Sequence, residues 1–301
     1  MLIFVIVLAV VGSILLCTVL FALTGRDRSV LFGRSGSIRV DGVDRSFLVS
    51  KGSASRTRNL VLGLHGYGGD GRTFAYYTAL HNAFGSDTMV VYPNASIPKA
   101  GQKTGWNAGF CCGSGWKNKV NDVGFLEALI TQLRQKYGIA ADRVFIVGFS
   151  NGAFMAQRFA AERPGVVRAV VSGAGTIGTN RTNGTQVRQS APVPMLLMHG
   201  AKDERVMYNG GTSPGDPEFD WISFADTREA WRKANLCDSD PQVVETSSRR
   251  TTTFRGCAAP LTTIEFLNDA HVWHGARLFN VWTRRPKASR GAAAFFASSA
   301  P

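Results

Sequence analysis

A chain of 301 residues is long enough for one large α/β domain and too short for two full ones. Its 45% hydrophobic and 18% charged residues are those of a globular protein with a sizeable core. The net charge of +13 raises nucleic-acid binding. The basic residues are scattered, however, and no recognition motif accompanies them. Their one local cluster is "TRRPKASR", Thr283–Arg290, so a solvated basic surface is expected and no nucleic-acid partner.

The first stretch, Met1–Thr24, carries no charge and is long enough to span a bilayer as a helix. It lacks the basic start and shorter apolar region of a cleavable signal. Residues 1–24 are read as a transmembrane anchor or signal segment, an uncleaved anchor being favoured, with a linker at 25–36 and one domain at 37–301. Arg26, Arg28 and Arg34 argue for a cytoplasmic C-terminal side. The cysteines after Cys17 argue the other way, because Cys111, Cys112, Cys237 and Cys257 are even in number and permit full pairing. Export, with the domain outside the cytoplasm, is the favoured reading.

"SIRVDGVDRSFLVS", Ser37–Ser50, alternates around Asp41-Gly42 and predicts a hairpin. "NLVLGLHG", Asn59–Gly66, reads as a strand buried on both faces. A helix around Arg72–Phe84, a strand at Thr88–Tyr92 and a long helix at Val120–Tyr137 follow. Next come a strand at Arg143–Val147, a helix at Gly152–Glu162, and strands at Val166–Ser172 and Val193–His199. A helix at Ser223–Ala234, late strands near Thr251–Arg255 and Leu261–Phe266, and a helix near Ser289–Phe296 complete the chain. Strands alternating with helices predict an α/β fold with a mostly parallel central sheet and helices on both faces.

Within it, Gly148-Phe149-Ser150-Asn151-Gly152 fits the G-x-S-x-G pattern at a predicted strand-to-helix junction. There the glycines permit a sharp turn and the serine oxygen stands exposed above the sheet edge. A serine nucleophile needs a base, and the base an orienting carboxylate. Of five histidines, His65 and His199 end buried strands as loop braces and His81 lies in a helix before the serine. His271 and His274 remain, after the last strand; His271, nearer the strand end, is preferred as base. Asp203, just beyond a strand end, is preferred as acid over Glu204, Asp216 and Asp220. The amides of Asn151 and of Tyr67, in the glycine-rich "LHGYGGDG", are the expected oxyanion donors. That loop lacks the Lys-Ser/Thr ending of a phosphate loop.

"LHGYGGDGRTF", "VVYPNA", "WNAGFCCG", "NDVGFLEALI", "VGFSNGAFMA", "MHGAKDERVMY" and "HVWHG" occur in this order. Together they resemble the secreted α/β-hydrolase esterases grouped as poly(3-hydroxybutyrate) depolymerases, feruloyl esterases and acetyl xylan esterases. The resemblance runs from Ile38 to the C-terminus. It implies an α/β-hydrolase fold with Ser150 as nucleophile, Asp203 as acid and His271 as base. The family's last motif is usually G-H-x-W-P-G, whereas here Ala270 precedes the histidine and His274 stands in the proline position. The resemblance further implies a Cys237–Cys257 disulfide clamping the segment before the histidine loop. Cys111-Cys112 is either a vicinal disulfide or a reduced pair. No second ligand pair at zinc spacing accompanies it, and no metal is expected.

The segment Ala174–Pro192, before the acid, has no apolar helical period and is too short for a helical cap. An open site follows, suited to a polymeric or bulky ester. Trp106 and Trp116, in "TGWNAGFCCGSGW", are expected to line the cleft, with Trp273 and His274 at its rim. The expectation is a cofactor-independent, monomeric serine carboxylesterase. A serine peptidase on the same fold and a membrane-tethered binding protein are the alternatives.

Overall fold

Asp41 and Gly42 both take positive φ, 50° and 77°, the geometry of a two-residue hairpin turn. Strand β1 (Arg34–Val40) therefore folds back on β2 (Val43–Lys51) with Val40 opposite Val43. The computed structural model describes residues 33–51, 57–96, 102–180, 192–276 and 287–299. The membrane or signal segment read at residues 1–24 lies outside them. Among the described residues no helix is long and apolar enough to cross a membrane.

The apolar runs become β3 (Asn59–Leu64), β4 (Thr88–Pro93), β5 (Val144–Phe149), β6 (Ala169–Gly173) and β7 (Met195–Gly200). After a small hairpin of β8 (Gly211–Ser213) and β9 (Asp216–Trp221) come β10 (Ser239–Glu245), β11 (Arg249–Arg255) and β12 (Leu261–Phe266). One ten-stranded sheet runs β1-β2-β4-β3-β5-β6-β7-β12-β11-β10. Its centre, from β4 to β12, is parallel, and antiparallel strands flank it at both ends.

Residues of the central strands alternate between two cores, as the period of two requires. Leu60, Leu62, Ile146, Val170 and Leu197 pack under α3 (Asp122–Tyr137), α4 (Asn151–Glu162) and α5 (Phe224–Ala234). Val61, Val147, Val171 and Leu196 pack under α1 (Gly71–Thr78) and α6 (Lys287–Ser299). A short α2 (Gly113–Lys117) sits in the loop before α3. Among the described residues no helix is inserted between β6 and β7 and none caps the carboxyl edge.

Three elements depart from the sequence expectation. Helix α1 stops at Thr78 because Ala79 is left-handed (φ 44°), and a 3₁₀ turn at Leu80–Asn82 follows, its His81 amide donating to the Tyr92 hydroxyl at 3.1 Å. Strand β10 extends the sheet by an exposed edge. The β8–β9 hairpin rises separately and becomes a wall of the site.

Candidate active site

Four loops leave the carboxyl ends of β3, β5, β7 and β12 and meet above the sheet edge. At the end of β5, Ser150 adopts φ 55° and ψ −123°, a conformation that L residues avoid. It is held there by its amide, which donates to Gly173 O at 2.9 Å, and by its carbonyl, which accepts from the Ala153 and Phe154 amides of α4. The flanking glycines are a matter of space. A Cβ on Gly148 would lie 2.7 Å from Ala153 N, and one on Gly152 would lie 2.6 Å from His65 O. Strand and helix approach closely only because neither side chain exists.

His271 Nε2 lies 3.0 Å from Ser150 Oγ, and His271 Nδ1 lies 2.7 Å from Asp203 Oδ2. Both acceptor and donor roles are consistent with one tautomer: Nδ1–H donates to the carboxylate, and Nε2 is left to accept from the serine hydroxyl. Phe149 packs on the imidazole with ring centroids 5.1 Å apart. Asp203 is buried; its Oδ1 accepts from the amides of Arg205 (2.9 Å) and Val206 (3.0 Å). Burial alone would raise its pKa, but hydrogen bonds from His199 and His271 outweigh that and hold it well below the usual carboxylate range. The alternative carboxylates are elsewhere: Glu204 is exposed, Asp216 stands on the cleft wall, and Asp220 faces Asn180.

The amides of Tyr67 and Asn151 have no acceptor among the described residues; Asn151 follows Ser150 in the chain, and Tyr67 lines the same cleft as Ser150. Asn151 is fixed by its side chain, whose Oδ1 accepts from Trp106 N (2.6 Å) and whose Nδ2 donates to Trp106 O (3.1 Å). His65 braces the Tyr67 loop: its Nδ1 donates to Gly66 O at 2.8 Å, and its Nε2 accepts from Ala95 N at 3.0 Å. Burial lowers the His65 pKa to about 4, so the ring is neutral.

Residues 46–213 match the model of the phospholipase/carboxylesterase family. The chain belongs to that family. The protein NocK of Nocardia uniformis subsp. tsuyamanensis is 28% identical over 235 residues, 72% of this chain and 66% of NocK. Feruloyl esterase B of Piromyces equi is 26% identical over 163 residues, 53% of this chain and 29% of that protein. The chain thus spans less than two thirds of either relative. The acetyl xylan esterase of Aspergillus awamori superposes with a TM-score of 0.56 at 16% identity, over 80% of this chain and 94% of that one. The Bacillus cereus carboxylesterase does so with 0.51 at 15%, over 85% and 94%. Both share the α/β-hydrolase fold.

A cleft of about 270 Å³ opens at Ser150 and His271. Trp116 lines it, facing Phe219 with ring centroids 6.4 Å apart. The other cleft expectations are corrected. Trp106 is buried, because its indole N–H donates to His65 O (3.0 Å) and its ring stacks on Phe125; it is a staple between loops. Trp273 is buried likewise, its indole N–H donating to Ser289 Oγ (3.0 Å). His274 is taken up by Asp269 and by the ring of Phe266, and the cleft walls do not include it. The sequence reading missed Phe154, Phe219, Trp221, Lys117, Arg205 and Glu218, which line the cleft with Asp216. The Pro214-Gly215 pair was the available signal for the hairpin that carries three of them. Cys237 and Cys257 are joined, as the resemblance implied, and Cys111 and Cys112 are joined across a cis peptide.

Proposed function

We propose that the chain is a serine carboxylic ester hydrolase, and the observation that carries this is the continuous relay Ser150 Oγ–His271 Nε2, His271 Nδ1–Asp203 Oδ2 at 3.0 and 2.7 Å. Ser150 Oγ attacks the ester carbonyl carbon while its proton passes to His271 Nε2. The carbonyl oxygen takes the negative charge and is met by the Tyr67 and Asn151 amides, at the positive N-terminus of α4. Collapse breaks the C–O bond, and His271 gives its proton to the leaving alcohol oxygen. Water, deprotonated by His271, then hydrolyses the acyl-enzyme and restores Ser150. Asp203 fixes the imidazole tautomer and stabilises the imidazolium. The cycle uses no cofactor.

The cleft supports an ester on a polymeric or bulky polar carrier, of the feruloyl esterase or poly(3-hydroxybutyrate) depolymerase kind. Its walls combine aromatic faces (Trp116, Phe219, Trp221) with charged groups (Lys117, Arg205, Asp216, Glu218), and without a cap it stays open. The Cys237–Cys257 disulfide supports export, with residues 1–24 as anchor or leader.

The test compares p-nitrophenyl acetate, methyl ferulate, acetylated xylan and hydroxybutyrate oligomers, with organophosphonate labelling of Ser150. Ser150→Ala and His271→Ala are each expected to lower kcat by about 10⁶-fold. A folded wild type that neither turns over an ester nor takes the label would leave a binding protein.

A further inference from the structure

Asp203 carries one more donor than the relay requires. His199, the penultimate residue of β7, places Nε2 3.1 Å from Asp203 Oδ2 and 2.9 Å from Val206 O. Both side chains are fully buried. Because both neighbours of Nε2 are acceptors, this nitrogen carries the proton; it hydrogen-bonds Val206 O, with Asp203 Oδ2 close beside the same N–H. The opposite nitrogen, Nδ1, has no hydrogen-bond partner among the described residues. It lies in a ring environment of Phe224 and Tyr208, with centroids 5.2 and 5.9 Å away. A histidine kept only to tie a turn would gain by using both nitrogens; this one spends its single donor on the carboxylate and the turn around it.

The accounting at Asp203 is then complete. Oδ1 accepts from two amides, Arg205 and Val206, and Oδ2 accepts from His271 and has His199 Nε2 at 3.1 Å. Three hydrogen bonds and this close N–H fill the capacity of one carboxylate. With Oδ2 held from behind, the carboxylate cannot rotate to present Oδ1 to His271.

We propose that His199 is a positioning residue for the relay: its Nε2–H fixes which oxygen of Asp203 faces His271 Nδ1. The proposal rests on the esterase reading above. It acts through Asp203 and makes no contact with substrate. The consequence is a requirement for a donor at that point in space, whatever side chain supplies it.

Glutamine can bring an amide nitrogen to the level of Nε2, and its two N–H groups serve Asp203 Oδ2 and Val206 O together. Methionine has similar length and no donor. The experiment measures kcat and KM on p-nitrophenyl acetate for the wild type, His199→Gln and His199→Met, each normalised to sites titrated with a fluorophosphonate. His199→Asn, whose amide reaches only the level of Nδ1, serves as the second donor-less variant should methionine not fold. The expected result is a kcat within about threefold of wild type for His199→Gln. The donor-less variants lose about 10- to 100-fold at unchanged KM, the worth of one hydrogen bond to a charged group. A merely structural role would displace Arg205 and Val206, which line the cleft, and so would raise KM in all variants. Equal losses in His199→Gln and His199→Met, or a loss carried by KM, overturn the proposal while the esterase reading stands. A wild type that takes no fluorophosphonate overturns both.

Discussion

Gly152→Ala separates packing from propensity, because the two give opposite signs. Gly152 is the second residue of α4 and its backbone is helical, so alanine there costs no backbone strain. Helix propensity alone would raise stability by about 1 kcal/mol. Packing says otherwise. The new Cβ would lie 2.6 Å from His65 O and closer still to Leu64 O, both backbone atoms at the end of β3. A tolerable C···O approach is about 3.3 Å, so the first turn of α4 and the end of β3 must part by about 1 Å. Those two segments carry the Asn151 and Tyr67 amides, and parting them opens the proposed oxyanion site. A misplacement of about 1 Å is worth roughly 10²-fold in rate, similar to losing one such donor. Overpacking costs about 1–3 kcal/mol. The expected outcome is a kcat on p-nitrophenyl acetate, per titrated site, lower by about 10²-fold, with a Tm lower by several degrees in calorimetry. Gly291→Ala, whose Cβ meets nothing within 4 Å on α6, is the control and should raise Tm slightly without touching rate. A Gly152→Ala protein with a raised Tm and a rate within threefold of wild type would refute the close-approach argument.

Three further outcomes follow from the same geometry. Asp203→Asn should lower kcat by about 10⁴-fold, since an amide can no longer select the Nδ1–H tautomer; an unchanged kcat would remove Asp203 from the relay. The lowered pKa of Asp203 also means that the unfolded chain binds this proton first, at about pH 3.9. Its stabilisation is therefore present above that pH and lost as pH falls below it, and the Tm of Asp203→Asn should fall less steeply there than that of wild type. His65 acts in a separate window: its pKa falls to about 4 on burial against about 6.5 unfolded, so stability drops as pH goes from about 6.5 towards 4, by up to about 3 kcal/mol. His65→Gln should flatten thermal stability against pH in that window, and an unchanged slope would reject the assignment. Arg45→Met should cost about 3–5 kcal/mol in urea unfolding, because it leaves the buried Asp122 carboxylate, 2.6 Å from Arg45 Nη2, without its counter-ion. Arg45→Met with Asp122→Asn should recover part of that loss; a double variant no more stable than the single one would mean the pair is not the cause.

How far the site was legible depends on how local its determinants are. The Ser150 elbow is written in five consecutive residues, because the turn and the close approach both need glycine within two positions of the serine. Chain order and strand ends pointed to Asp203 and His271, and the structure brings both to Ser150. The inward turns of Trp106 and Trp273 were not legible. Trp106 follows Gly105 directly in "TGWNAGFCCGSGW", which leaves its direction open, and what turns it inward is His65 O and the Asn151 side chain, 41 and 45 residues away. Trp273 is settled in the same way by Ser289 and Phe74. The cleft wall of β8 and β9 escaped because Pro217 and three charged residues, Asp216, Glu218 and Asp220, interrupt a strand whose apolar positions are only Phe219 and Trp221. Phe154 has the spacing of a core residue of α4, and only the hairpin opposite makes it a cleft residue.

The longest reach in the proposed site is that of its proposed base. His271 leaves β12 and has to return over β7 and β6 before it meets Ser150 at the end of β5. That path lies flat against the sheet edge because the two strands it crosses end in glycine. A Cβ on Gly200, closing β7, would lie 2.8 Å from Asp269 C, and one on Gly173, closing β6, would lie 2.7 Å from the Trp273 ring. Trp273 then anchors the far side of the loop, its amide donating to the Tyr77 hydroxyl at 3.0 Å and its indole to Ser289. Asp203 meets His271 on the way, since it follows β7, the first strand the loop passes over. The order of strands in the sheet thus dictates the order of groups in the relay. The residues that permit it are the ones with no side chain at all.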